Sequence, residues 1–164
     1  LVWIDWSSLP QGTRGELEDK YFTSVLLGGG GNSTSTSCVL SSSILYACLT
    51  VVIMVDQKYL SRFWTQLEAF LAHRVISKHG LAKAAPDQQG SRCLFIEMGA
   101  SAGTGGLKDI ITRTWGPISV QEAHTRLSAD DVEVTNKSDK IQQLKKLPEL
   151  DLRLRERWSE WNLG

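Results

Sequence analysis

The chain has no excess charge of either sign: eighteen Lys and Arg stand against eighteen Asp and Glu in 164 residues. A balanced charge supplies no electrostatic footprint for nucleic acid or for an anionic membrane surface. Cysteine is scarce and odd in number. Cys38, Cys48 and Cys93 are widely spaced and sit mostly in apolar runs, which points to neither a disulfide framework nor a zinc site and favours a reducing, cytosolic setting. Histidine is equally sparse. His73 and His79 are six apart and share no helix face, and His124 is isolated, so no metal site is expected. The longest apolar run, Ile44 to Val55, is broken by Thr50 and reaches only about half the length of a membrane span. No signal peptide is visible. The sequence begins with Leu1 inside an apolar run and without an initiator Met, which reads as an excised or truncated fragment and leaves an N-terminal targeting segment open.

What is present suits one globular domain over residues 1–164: 41% of residues are hydrophobic and 22% charged, enough for a single core. "LVWID" (1–5) reads as a strand and "WSSLPQG" (6–12) as a loop. A helix is expected over Glu16 to Leu27. The small-residue stretch "GGGGNSTSTS" (28–37) then reads as a flexible insertion. "SSSILYACL" suits two helical turns. "TVVIMVD" (50–56) is the surest strand, its continuous β-branched run suggesting burial on both faces.

Ser61 is a good N-cap and Gly80 a good stop, so a helix of about five turns is expected between them. A flexible loop over 82–91 leads to a second buried-strand pattern, "RCLFIEMG" (92–99). A Gly-rich turn and "LKDIITRTW" follow, then a weaker strand in "DDVEVTN" (130–136). Residues 137–164 form a C-terminal helical region with an interruption at Pro148. Four strands alternating with helices predict an α/β fold with a parallel sheet flanked by helices.

One residue of the helix in "YLSRFWTQLEAF" (59–70) is out of place. At 100° per residue, Trp64, Leu67, Leu71 and Val75 make an apolar stripe, and the carboxylate of Glu68 lies at its margin, close to Trp64. Two readings stay open. Glu68 is a boundary glutamate that pairs with Arg62 or Arg92 or reaches solvent, or it is a carboxylate in a cleft whose proton affinity is raised by desolvation beside an aromatic wall.

"YLSRFWTQLEAFLAHR" resembles the third helix of the Toll/interleukin-1 receptor (TIR) fold, in which Ser, a spacer, Trp, three residues and Glu follow a buried strand. Ser61, Trp64 and Glu68 match, with one extra spacer residue between Ser and Trp. The order before it fits as well. "LVWID" resembles the second strand of that flavodoxin-like fold, "WSSLPQG" its BB loop, "ILYACL" the next helix and "TVVIMVD" the third strand. The chain is similar, too, to the fungal heterokaryon-incompatibility domain. The resemblance covers roughly residues 1–99; the family's first strand and the loop after it have no counterpart, and Thr65 stands where many members carry Cys.

What the resemblance implies is a defence or cell-death signalling domain. In enzymatic members the helix glutamate cleaves the nicotinamide glycosidic bond of NAD, and Glu68 holds that position. Trp64 would then wall the pocket, with Ser61 beside it, and the loop residues Trp6, Ser7, Ser8, Leu9 and Pro10 would line or cover it. NAD would be the substrate, with no cofactor. The same resemblance also fits a non-catalytic module that signals by homotypic assembly. A chain without the central first strand is expected to leave apolar strand edges open and to self-associate.

Other motifs carry less. "GASAGTGGLKD" after a strand has the glycines of a phosphate-cradling turn but not the Gly-Lys-Ser/Thr ending of a P-loop, so it reads first as a flexible loop. Ser7 and Ser8 lack the Gly-x-Ser-x-Gly elbow of a hydrolase nucleophile. "RLRERWSEW" reads as a charged helix that packs Trp158 on the domain or docks a partner.

Overall fold

The computed structural model describes Glu16 and residues 42–85, 87–88, 92–103 and 105–161. The chain divides into two compact units, residues 1–45 and 46–164. The expected strand at 1–5, the loop at 6–12, the insertion at 28–37 and, apart from Glu16, the helix at 16–27 lie outside the described residues. "SSILYAC" forms the expected short helix α1 (Ser42–Cys48).

The β-branched run forms β1 (Val51–Val55), which pairs in parallel with β4 (Cys93–Glu97). The register sets Val52 against Leu94, Ile53 against Phe95 and Met54 against Ile96. Side chains alternate between faces with a period of two. Ile53, Val55 and Cys93 are therefore buried, while Val52, Met54, Leu94 and Ile96 are each 49–55% exposed. This corrects the expected burial on both faces: a uniformly apolar strand carries no mark of which face is covered. The expected parallel sheet flanked by helices is present in part, as this pair, the expected strand at 1–5 lying outside the described residues. Among the described residues there are two two-stranded sheets, this parallel pair and an antiparallel hairpin. Residues 130–136 form no strand and make a single bridge between Glu133 and Arg62.

The helix after β1, α2, runs only from Phe63 to Ala72. Its expected continuation to His79 is instead a hairpin of β2 (Arg74–Ser77) and β3 (Gly80–Lys83). Arg74 is the reason. Its side chain is 1% exposed, with Nη1 donating to the carbonyl of Ile118 at 2.8 Å and Nη2 to those of Trp115 and Gly116, each at 2.6 Å. The guanidinium also lies 4.8 Å from the centre of the Phe70 ring. Holding the charge there draws the backbone off the helical path, and the β-branched Val75 and Ile76 then suit a strand. Burial brings the Arg74 pKa down to about 10. Gly80, expected as a helix stop, takes a positive φ of 84° at the hairpin turn. The expected loop over 82–91 begins later than predicted, because Ala82 and Lys83 belong to β3.

Three helices complete the described chain: α3 (Gly106–Trp115), α4 (Val120–Ser128) and α5 (Lys137–Trp161). Nothing in the reading of the sequence anticipates α4, although its start is written there. The Ser119 hydroxyl accepts from the Glu122 amide and the Glu122 carboxylate accepts from the Ser119 amide, a capping box with the Ser-x-x-Glu spacing.

The expected interruption at Pro148 does not occur; α5 is continuous through it. A proline inside a helix removes one backbone bond and costs about 3 kcal/mol. The buried stripe of Gln143, Leu147, Asp151 and Leu154 flanks Pro148 on both sides and packs α5 against α4 and the hairpin, which offsets that loss. Among the described residues no helix is long and apolar enough to cross a membrane.

The hairpin meets α5 through Asp151, whose carboxylate accepts from the Leu81 amide at 2.7 Å and pairs with Arg155. A Cβ on Gly80 would lie 2.7 Å from the Asp151 carbonyl oxygen and closer still to its carboxylate. Gly80→Ala combines that overlap with an unfavourable φ. It is expected to destabilise the chain by about 2–4 kcal/mol, read as a lowered urea midpoint; an unchanged midpoint would mean that the hairpin does not dock on α5.

His73 supplies a pH dependence. The imidazole is 1% exposed, Nδ1 donates to the Ala69 carbonyl at 2.7 Å and the ring faces Phe95 at 6.4 Å. Burial, with help from Arg74 and Arg92, holds its pKa below the ordinary value against the opposing effect of that hydrogen bond. The unfolded chain binds this proton more readily than the folded one. Its contribution to stability is therefore full only well above pH 6.5 and declines as the pH falls through that value, by at most about 1 kcal/mol between pH 6.5 and 5.5. The decline should be shallower in His73→Gln, measured by urea unfolding at both pH values; equal slopes would remove His73 from the account.

Candidate functional site

Helix α2 is buried on nearly all sides. Phe63, Gln66, Leu67, Ala69, Phe70, Leu71 and Ala72 are inside, and only Trp64, Thr65 and Glu68 are half-buried. Trp64 and Glu68 are one turn apart and so lie one above the other. This corrects one detail of the predicted stripe. Trp64 belongs with Glu68 on the outward face, whereas Leu67 and Leu71 face the core. The Trp64 ring packs edge-on against Phe63, with centroids 5.6 Å apart. An aromatic wall and a half-desolvated carboxylate thus share the one open face of the helix.

The turn between β1 and α2 completes the surroundings. Tyr59 is 5% exposed, and its carbonyl accepts from the Thr65 hydroxyl at 2.6 Å, which ties the turn to the first turn of α2. Burial first, and the Glu68 carboxylate second, raise the Tyr59 phenol well above its ordinary range, while Arg62 acts the other way. Tyr59 is therefore a neutral phenol beside Glu68, able to donate a hydrogen bond but not to serve as a base.

Ser61 does not cap α2. Its hydroxyl donates to the Lys58 carbonyl at 3.0 Å, and the N-cap residue is Arg62, which makes no side-chain cap. The competing acceptor within the turn and the pairing of this segment with Glu133 decide the shift: the Glu133 amide donates to the Ser61 carbonyl at 2.7 Å and the Phe63 amide to the Glu133 carbonyl at 2.8 Å. The Arg62 Nη2 donates to Asp56 at 2.8 Å, in an ion pair whose side chains are 47% and 44% exposed. Asp56 follows directly on the carboxyl end of β1, the end at which parallel α/β sheets bind ligands.

The Gly-rich turn at the end of β4 is already satisfied. Its backbone amides at Gly105, Leu107 and Lys108 donate to the carboxylate of Glu97 at 2.8, 3.2 and 3.3 Å. Those are the amides a phosphate would need, so the nucleotide reading of this loop loses its donors to the protein's own side chain.

The described cysteines are free thiols, Cys48 exposed and Cys93 buried, and burial raises both pKa values, which makes neither an activated nucleophile. Among the described residues no group of three or more His, Cys, Asp or Glu could hold a metal ion.

Of the residues expected at the site, Trp64 and Glu68 are therefore on the same face of α2, at its second and sixth residues, and Ser61 lies in the turn before the helix. Trp6, Ser7, Ser8, Leu9 and Pro10 lie outside the described residues. Tyr59 and Arg62 were not among the expected site residues. Tyr59 has no periodic position in a strand or helix to betray its burial, and Arg62 is visible only as a basic residue next to a presumed cap. No protein-family model, no curated protein and no solved structure matches the chain.

Proposed function

We propose that the chain is a TIR-like domain of a defence or cell-death signalling protein and that it cleaves NAD at the nicotinamide glycosidic bond, with Glu68 as the catalytic carboxylate. The observation that carries this reading is the position of Glu68: half-buried on the only open face of α2, one turn from Trp64 and close enough to Tyr59 for its charge to act on the phenol. Nicotinamide leaves as a neutral base, so the reaction needs no general acid. A single carboxylate beside the ribose suffices to orient its hydroxyls and stabilise the oxocarbenium-like charge of the transition state. Tyr59 would hold the low-dielectric side of that carboxylate and Trp64 would wall the nicotinamide side. NAD is substrate here, with no cofactor.

A second reading, a non-catalytic domain that signals by homotypic assembly, is favoured by the exposed apolar ladder Val52–Leu94 and Met54–Ile96. Parallel sheets normally have both faces covered, and an open apolar face is a site for association.

Glu68→Gln keeps the shape and removes the charge. It is expected to abolish nicotinamide release from NAD while leaving the urea midpoint within about 0.5 kcal/mol of the wild type, as for substitutions away from the core. Full activity in that variant would end the assignment of Glu68. Self-association is tested separately by light scattering and a rate measurement over a dilution series. Growth in mass with concentration, accompanied by a faster-than-linear rise in any activity, is expected; a monomer of constant specific activity would discard the assembly reading.

A further inference from the structure

We propose that Met54 and Met98 form a paired oxidation site, through which hydrogen peroxide or a related two-electron oxidant turns the open face of the β1–β4 sheet from apolar to polar. The geometry of that face carries it, independently of both functions proposed above.

The chain has two methionines in 164 residues, and the sheet brings both to one patch. Met54 is paired with Ile96 in the parallel register. Met98 follows β4 in an extended conformation, with φ −119° and ψ 157°, and its amide donates to the Val55 carbonyl at 2.8 Å. The ladder thus runs on to Met98, and the alternation of faces with it. Leu94, Ile96 and Met98 therefore lie on one side of β4, with Val52 and Met54 beside them on β1. Neighbouring strands are about 4.8 Å apart and two residues advance about 6.6 Å, which sets the Cα atoms of Met54 and Met98 roughly 8 Å apart across the ladder. All five side chains are open, Met98 37% exposed and the others 49–55%. A parallel sheet normally has both faces covered; this one presents two thioethers to solvent in an otherwise aliphatic ladder.

A thioether is the group of this face that a peroxide can change. The sulfur lone pair attacks one peroxide oxygen, and the S–O bond forms as the O–O bond breaks. The departing hydroxide takes the proton from the transferred oxygen and becomes water. The sulfur loses two electrons and the peroxide gains them. The product, methionine sulfoxide, is polar, and methionine sulfoxide reductases reverse it. Val52, Leu94 and Ile96 have no such chemistry, so the methionines alone make the polarity of the face adjustable.

The test treats the folded protein with hydrogen peroxide and then with a thiol, which reverses the early stages of cysteine oxidation. Peptide mass spectrometry is expected to find one added oxygen on Met54 and one on Met98, each formed within about threefold of its rate in the urea-unfolded chain, because reaction follows exposure. Protection of either residue by about tenfold or more overturns the proposal. The dye ANS, which reports exposed apolar surface, is expected to bind the untreated protein and to lose roughly half of its fluorescence on oxidation, as two of the five open side chains become polar. Methionine sulfoxide reductases A and B are expected to restore it. The double variant Met54→Leu, Met98→Leu keeps size and apolar character; it is expected to bind the dye as before and to keep its fluorescence under peroxide. Equal loss in the double variant, or no dye binding by the untreated protein, overturns the proposal.

Discussion

The buried guanidinium of Arg74 is the interaction on which the arrangement of the second unit turns. Its Nη1 and Nη2 bind the carbonyls of Trp115, Gly116 and Ile118, the groups at the end of α3 and just beyond it that have no partner within a helix, while its Nε is buried without a partner. The Phe70 ring covers its face, and Phe70 in turn meets Trp115 edge-on at 6.2 Å. One side chain therefore ends α2, starts β2 and fixes the connection from α3 to α4. A buried cation is favourable only when its hydrogen bonds are made. The segments that supply those carbonyls have to arrive together, which makes Arg74 a device for specificity of packing.

The shortness of α2 follows from that constraint and shapes the site. Had the helix run to Gly80, as its pattern allows, residues 73–79 would have prolonged its faces. Instead the chain turns at His73, the hairpin takes up Val75 and Ile76, and α2 is left as ten residues with one open face. That face is occupied by Trp64, Thr65 and Glu68. Long-range hydrogen bonds from a residue twelve positions beyond Arg62 thus help decide where a carboxylate meets solvent.

The same constraint marks what could be read in advance. The strands at 51–55 and 93–97, α1 and the body of α2 were legible because each is a run of residues whose propensities agree with the final structure. The margin position of Glu68 was legible from helix periodicity alone. The hairpin was not, because "AHRVISKHG" suits a helix locally and only the distant carbonyls of Trp115, Gly116 and Ile118 decide otherwise. The unbroken passage of α5 through Pro148 was hidden for a similar reason, since the packing that offsets the proline comes from α4 and the hairpin. The capping box at Ser119 and Glu122 is different: it is a local signal, available in the sequence and overlooked beside the Gly-Pro turn that precedes it.

The start of α2 also opposes what the helix alone would choose. A cation sits at the helix start, where the macrodipole favours an anion, and no side chain caps it. The capping box of α4 shows that this chain can build an orthodox helix start, with Glu122 held below its ordinary pKa by the hydrogen bonds from Ser119. The exception at α2 is therefore a property of that position and not of the chain's general composition. Asp56 and the bridge to Glu133 hold Arg62 in place without neutralising the conflict, because the ion pair is exposed and engages one nitrogen only. The unorthodox start of α2 is therefore held by contacts from outside the helix, the Asp56 carboxylate and the Glu133 backbone, in place of a cap of its own.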